Sequence, residues 1–390
     1  MAGRQATLVD RLRARLAAPR DRWVSLSLLV AFALVAATGS PPRAVPLHLF
    51  ILGALLLLSF RFPVGRLAVV ALVIAGIDLR LDYARVGSDV LLVTRAAIDA
   101  VLAGGNPYGI GYAVSTPPGA PFPYGPLALL WYMPLPAQLI EFAVALAILG
   151  MLAVRGRLLG LALYACAPVL VVTAADGSND TSLGLLLLIA LVLTERWPRL
   201  GAFALGLAIA FKPTALAWAP PMVAFAGWTG MLTLALGAGL FWLPALVAWG
   251  PAAIFESIAR ANSIHGGTYY SLAHALARFG IGLSTVAFDA FRFGAAGLLG
   301  LLALWRVRTP HAVIGWGAAI FLLALFGGFW STFAYFAAVG PIVAWHVDEW
   351  LGHADSRVRW PTDPVGRLAA AVDKRWSRLE STAQRRTNPG

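Results

Sequence analysis

Apolar runs of membrane-spanning length, or a little shorter, recur at about 24–38, 47–60, 67–79, 125–154, 157–174, 182–194, 199–226, 230–249, 281–304, 311–327 and 329–346. Short basic connectors stand between them: Arg61 and Arg66, Arg155 and Arg157, Arg196 and Arg199, Arg306 and Arg308. The first 23 residues carry six Arg against two Asp, and residues 347–390 carry eight Arg or Lys against six acids. With these segments in the cytoplasm, 22 of the 30 basic residues lie inside, the bias expected of membrane proteins. The pattern predicts a basic N-terminal segment (1–23), a helical membrane domain (24–346) and a cytoplasmic tail (347–390). Loops 80–124, 175–181 and 250–280 then face outward.

One run resists this count. A single crossing by 199–226 would put 250–280 inside and the later connectors outside. The run is 28 residues long and holds Lys212-Pro213 at its middle. Proline breaks helices, and a lysine at the bilayer centre is costly unless it meets water or a partner. The spacing therefore predicts a hairpin of two short helices that enters from the cytoplasm and turns at Lys212-Pro213. The fold expected is all-α, with about 11–12 transmembrane or half-spanning helices and short surface helices outside.

Composition agrees. Hydrophobic residues make up 59% of the chain and charged residues only 12%, with a mean hydropathy of +0.77, which excludes a soluble globular domain. A single cysteine, Cys166, excludes an internal disulfide and a thiolate metal cluster. A net charge of +12 would suggest nucleic acid in a soluble protein; here the basic residues sit in connectors and tails, so the partner they imply is membrane lipid. Residues 8–16 suit a basic helix on an anionic inner leaflet. Residues 36–40 look like a signal-cleavage site, but the long basic leader and the later spans favour a retained first helix in a plasma (inner) membrane protein.

Nine of the eighteen acids fall in or near the outward loops and helix ends: Asp78, Asp82, Asp89, Asp99, Glu141, Asp176, Asp180, Glu256 and Asp289. A transporter or flippase is the alternative reading that the helix count and Lys212 allow. It would carry ionisable groups through internally repeated helices. No such repeat is evident, and the polar residues gather on one side, which predicts a site at the outer interface.

In the first loop, Leu91, Ile98, Val101 and Leu102 fall near one helical face, with Arg95 and Asp99 opposite. This predicts a surface helix begun after Ser88-Asp89 and stopped by Gly104-Gly105. Asp89 at its N-terminus is either a helix cap or a carboxylate available for chemistry. Lys212 either faces a ligand, reaches to the interface or pairs with Asp180. The stretch 256–278 adds Glu256, Arg260, Asn262, His265, Tyr269, Tyr270, His274 and Arg278, and its glycines suit a loop that covers a ligand. There Tyr269 and Tyr270 either face a ligand or belong to an interfacial aromatic belt. Asp289 and Arg292 should pair, and Glu141 should be satisfied within the bundle. No nucleotide-binding or HExxH motif is present.

Two blocks carry a resemblance. The first is Gly87-Ser88-Asp89, a short helix, Gly104-Gly105-Asn106-Pro107-Tyr108, then Phe122-Pro123-Tyr124-Gly125-Pro126-Leu127 and Met133-Pro134-Leu135. The second is Asp176-Gly177-Ser178-Asn179-Asp180, an apolar helix, a basic connector and Leu205-Gly206-Leu207-Ala208 ending at Lys212-Pro213-Thr214. In this order they resemble the GT-C superfamily of integral membrane glycosyltransferases, and within it glycosyltransferase family 87, polyprenyl-phosphate-mannose-dependent mannosyltransferases. The resemblance covers roughly residues 78–225. It implies transfer of a sugar, mannose first, from a polyprenyl-phosphate-linked donor to a glycolipid or glycan acceptor, with inversion and without a cofactor. Asp89 matches the catalytic base, with Asp82, Asp176 and Asp180 as alternatives. Lys212, Arg260 and His265 become donor-phosphate candidates, and Asn106, Tyr108, Tyr124, Asn179, Tyr269 and Tyr270 substrate contacts. The carboxylates in 176–180 depart from the family's usual Gly-Gln-Asn type sequence and leave a divalent cation open.

Overall fold

A computed structural model of the chain describes residues 66–84, 87–264 and 270–351, which are mostly helical, with no strand among them. The runs expected at 24–38 and 47–60, the basic N-terminal segment and residues 352–390 of the tail lie outside the described residues.

Prolines cut the apolar runs into more pieces than hydropathy alone would. The first described run is α1 (Arg66–Tyr83), and the surface helix is α2 (Asp89–Leu102). Run 125–154 becomes α3 (Pro126–Tyr132) and α4 (Ala137–Arg155), broken around Pro134 and Pro136. Run 157–174 becomes α5 (Leu158–Cys166) and α6 (Pro168–Ala175), bent by 56°. Pro168 has no N–H to give the Tyr164 carbonyl, and a buried arginine replaces it: Arg80 Nη2 donates to Tyr164 O at 2.9 Å. Arg80 thus belongs to the packed part of α1; the outward loop expected from residue 80 begins only after Tyr83.

Beyond α7 (Asp180–Arg196) and α8 (Pro198–Phe211) come a short 3-10 turn (Pro213–Trp218) and α9 (Ala219–Trp249). α9 reverses at Gly227, whose φ of 68° is open to glycine and strained for other residues. Past the reversal it runs parallel to α8. Arg199 Nε donates to Thr229 Oγ1 at 3.1 Å, and Trp242 Nε1 donates to Ile209 O at 3.4 Å. Residues 213–226 therefore return toward the start of α8, which is the hairpin the Lys212-Pro213 spacing predicts.

Where 250–280 was expected to be loop, Gly250 and Pro251 start α10 (Pro251–Ser263). α11 (Leu272–Ala277), α12 (Thr285–Arg306), α13 (Pro310–Phe326) and α14 (Tyr335–Trp350) complete the bundle. Among the described residues three helical segments are long and apolar enough, by length and composition, to cross a membrane: Ala137–Arg155, Pro213–Trp249, which contains the reversal at Gly227 and so is not one straight span, and Thr285–Arg306. The bent pair α5 and α6 makes a fourth. On α9, Trp228, Leu232, Leu236, Leu240, Leu243 and Val247 leave an exposed apolar stripe, as a surface in contact with lipid does. The chain is a membrane protein.

Asp289 and Arg292 do pair, at 2.7 Å, with Arg292 buried. Glu141 is also satisfied: Tyr132 Oη donates to its Oε1 at 2.5 Å, Ser182 N donates to its Oε2 at 3.0 Å, and the Ser182 hydroxyl meets Oε1 as well. This network joins α3, α4 and the first turn of α7, so it fixes the turn that carries Asp180.

Candidate functional site

The loops at one end of the bundle close around a cavity of about 350 Å³. The turn before α2 is tied to the turn before α7, because Ser88 N donates to Asp176 O at 2.8 Å. Gln138 Nε2 binds the carbonyls of Ala84 and Ala175 at 2.6 and 2.7 Å, holding the ends of α1 and α6 to α4. These contacts bring Asp89 and Asp176, 87 positions apart in sequence, to one cavity wall.

Ser88, rather than Asp89, caps α2: its Oγ accepts from Leu91 N at 3.3 Å. Asp89 uses Oδ1 to accept from Val90 N at 2.9 Å and lines the cavity. The buried face of α2 is Val93, Thr94, Ala97 and Ile98; Leu102, expected on that face, is exposed. Arg95 and Asp99 are exposed, as expected.

Lys212 stands at the apex of the hairpin, buried, with Nζ donating to Asp180 Oδ1 at 2.7 Å and Asn179 Oδ1 at 2.8 Å. The two readings of Lys212 therefore meet in one place: it pairs with Asp180 and also faces the cavity. The rings of Tyr124 and Tyr335 lie 5.3 and 5.4 Å from Nζ, their faces toward the ammonium. An ammonium has three donors, and Asp180 and Asn179 take two.

Tyr124 is held there by a close approach of backbones. Gly125 N donates to Phe211 O at 2.9 Å, and a Cβ on residue 125 would overlap the Ala210 carbonyl. Gly125→Ala is expected to cost about 1–3 kcal/mol as an overpacking change. Thermal unfolding of the purified variant checks it, and an unchanged midpoint would contradict the close docking of this loop on α8.

Asp176 accepts from Ser178 N at 2.8 Å. Burial pushes its carboxyl up to about 7, against that hydrogen bond, and the charges of Asp180 and Asp89 add to the rise. Between the ordinary carboxylate range and about 7, the folded chain holds a proton at Asp176 that the unfolded chain has lost. Stability should therefore fall as pH rises across that window. Asp176→Asn should flatten that slope in unfolding midpoints measured against pH; an unaltered slope would show that Asp176 does not titrate there.

Four expected ligand contacts, Asn106, Tyr108, Arg260 and Tyr270, have positions outside the cavity lining. Asn106 Nδ2 donates to Trp249 O at 2.9 Å, and its Oδ1 accepts from Tyr108 N at 2.9 Å, so it fastens the loop to the end of α9. Tyr108 is buried behind the cavity and donates to Tyr124 O at 3.0 Å. Arg260 is exposed on α10, outside the cavity lining; Ile258 and Ala261 of that helix face the cavity instead. Tyr270 backs the wall, its ring 5.7 Å from that of Phe333, which does line it. Asp82 falls in the last turn of α1, with its side chain outside the described set, and His265 and Tyr269 lie outside the described residues.

The fourth wall comes from Trp330, Thr332, Phe333 and Tyr335, between α13 and the start of α14, none of which the sequence reading selected. The available signal was the break Gly327-Gly328-Phe329-Trp330-Ser331-Thr332, which interrupts two apolar runs with aromatic and hydroxyl groups.

No family model, curated protein or solved structure matches this chain. Its reading rests on the residues themselves.

Proposed function

We propose that this chain is a GT-C-like membrane glycosyltransferase that moves a sugar, most simply mannose, from a polyprenyl-phosphate-linked donor to a lipid or glycan hydroxyl. The observation that carries the reading is the convergence of Asp89, Asp176 and the Lys212–Asp180 pair, with the rings of Tyr124, Trp330 and Tyr335, on one cavity. The basic connectors lie at the other end, where Arg155 and Arg157 both reach Glu349, at 2.7 and 3.3 Å. That asymmetry supports a cavity opening on the outer face.

In this reading Asp89 accepts the proton of the acceptor hydroxyl as its oxygen bonds to the anomeric carbon. The bond from that carbon to the phosphate oxygen breaks on the opposite side, so configuration inverts. Polyprenyl phosphate leaves with the bonding pair, and the third N–H of Lys212 meets the charge that develops on it. Tyr124, Trp330 and Tyr335 offer faces for a sugar ring, and the two apolar residues of α10 cover the cavity.

The test is reconstitution of the purified chain in vesicles with radiolabelled polyprenyl-phosphate-mannose and bacterial lipid acceptors. The reading expects a new mannosylated lipid of inverted anomeric configuration together with free polyprenyl phosphate. Label that only changes leaflet, with the donor intact, would overturn it in favour of a flippase.

A further inference from the structure

We propose that the end of the bundle opposite the cavity carries a binding site for a divalent cation of the zinc class, held by His311, His346 and Glu349. Asp180 and Glu195 open and close α7, so the two ends lie about 22 Å apart at ~1.5 Å per residue. His346 and Glu349 are three apart on α14 and share a face; His311 comes from the first turn of α13. One ligand atom from each of the three lies within 4.8 Å of the others.

The separation suits a metal. His346 Nδ1 is 3.6 Å from Glu349 Oε2. Two ligands at ~2.0–2.1 Å from a tetrahedral zinc stand roughly 3.3 Å apart, so this pair needs a shift of only a few tenths of an ångström, and His311, within 4.8 Å of both, closes on the ion by a turn of its exposed side chain. His346 is only 1% exposed, and neither of its ring nitrogens has a hydrogen-bond partner among the described residues. Its nitrogens face Glu349 Oε2 and Glu195 Oε1 from beyond hydrogen-bond reach, and polar atoms left unmet at such depth are costly. A cation on Nδ1 uses its lone pair. The N–H on Nε2 then points toward Glu195 Oε1, 3.9 Å away, in the arrangement by which a carboxylate commonly orients a metal-bound histidine.

The neighbouring charges leave Glu349 Oε2 for the cation. Arg155 Nη2 and Arg157 Nη2 both donate to the other oxygen, Oε1. Asp348 is occupied in capping α5, accepting from Leu159 N and Gly160 N at 3.2 and 2.8 Å. Two imidazoles with one carboxylate favour zinc and its transition-metal neighbours over magnesium or calcium. A bound ion ties α13 to α14 and, through Glu195, to α7.

The experiment uses the full chain purified without a histidine tag, stripped with chelator and titrated with Zn²⁺ by calorimetry and with Co²⁺ by visible absorption. One saturable ion per chain is expected, with a cobalt spectrum of low coordination number and a higher unfolding temperature for the zinc-loaded protein. His311 is exposed, so His311→Ala should leave the chelated protein's unfolding temperature unchanged. It should weaken zinc binding by more than about 10-fold, the least that losing even an outer-shell partner costs. His346→Gln should do the same. Absence of binding by the wild type, or equal binding by wild type and His311→Ala, would overturn the proposal.

Discussion

Asp89→Asn is expected to slow sugar transfer by ~10²–10⁴-fold, the range a positioned general base supplies, while donor affinity stays near that of the wild type. The amide is the same size, and its oxygen can still accept the Val90 N–H that Asp89 Oδ1 accepts. Ser88 caps α2, so the variant keeps the helix cap and gives up only the small interaction of a first-turn charge with the helix dipole. What disappears is the negative charge of the carboxylate and, with it, the capacity to take a proton. Single-turnover kinetics with bound donor separates this loss from weaker binding. A variant that transfers at the wild-type rate would move the base to Asp176 or Asp180.

Lys212→Met carries the second large effect, on stability and activity together. The lysine and Asp180 are both nearly sealed from solvent, with side chains 6% and 3% exposed. Removing the ammonium leaves a carboxylate buried without its counter-charge, at a cost of about 3–5 kcal/mol. Replacing both partners by apolar residues, as in Lys212→Met with Asp180→Leu, should recover most of that loss, because no unpaired charge remains. The double variant should still fail to transfer sugar, since the leaving phosphate has lost its cation. Thermal unfolding and the transfer assay on both variants check the two parts separately. A double variant no more stable than the single one would show that the pair does not cost what burial implies, and an active double variant would remove Lys212 from the donor site.

Much of the site could be read from the sequence because it is carried by charges in an apolar chain. Lys212-Pro213 in the middle of a long run requires a break and a partner, and the hairpin and Asp180 answer both demands. Asp89 follows a cap residue, so its place at a helix N-terminus was open to view. Other features depend on contacts that spacing does not encode. Asn106 and Tyr108 sit in a polar loop and look like ligand contacts, yet their partners are backbone carbonyls of Trp249 and Tyr124. Arg80 looked like the start of a loop until Pro168 freed the carbonyl it serves. Trp330 and Tyr335 hide at the border of two apolar runs, where aromatic residues read as ordinary membrane sequence. The His311, His346 and Glu349 grouping joins two helices whose ends meet only in the folded bundle.

The most direct test of the central claim is photo-crosslinking by a polyprenyl-phosphate-sugar that carries a diazirine on the sugar, with the labelled residues mapped by mass spectrometry in the intact chain. The account predicts label in the first turn of α2, the 176–180 turn or the 330–335 segment, suppressed by unlabelled donor. Label that spares all three segments, or that unlabelled donor does not suppress, would contradict it.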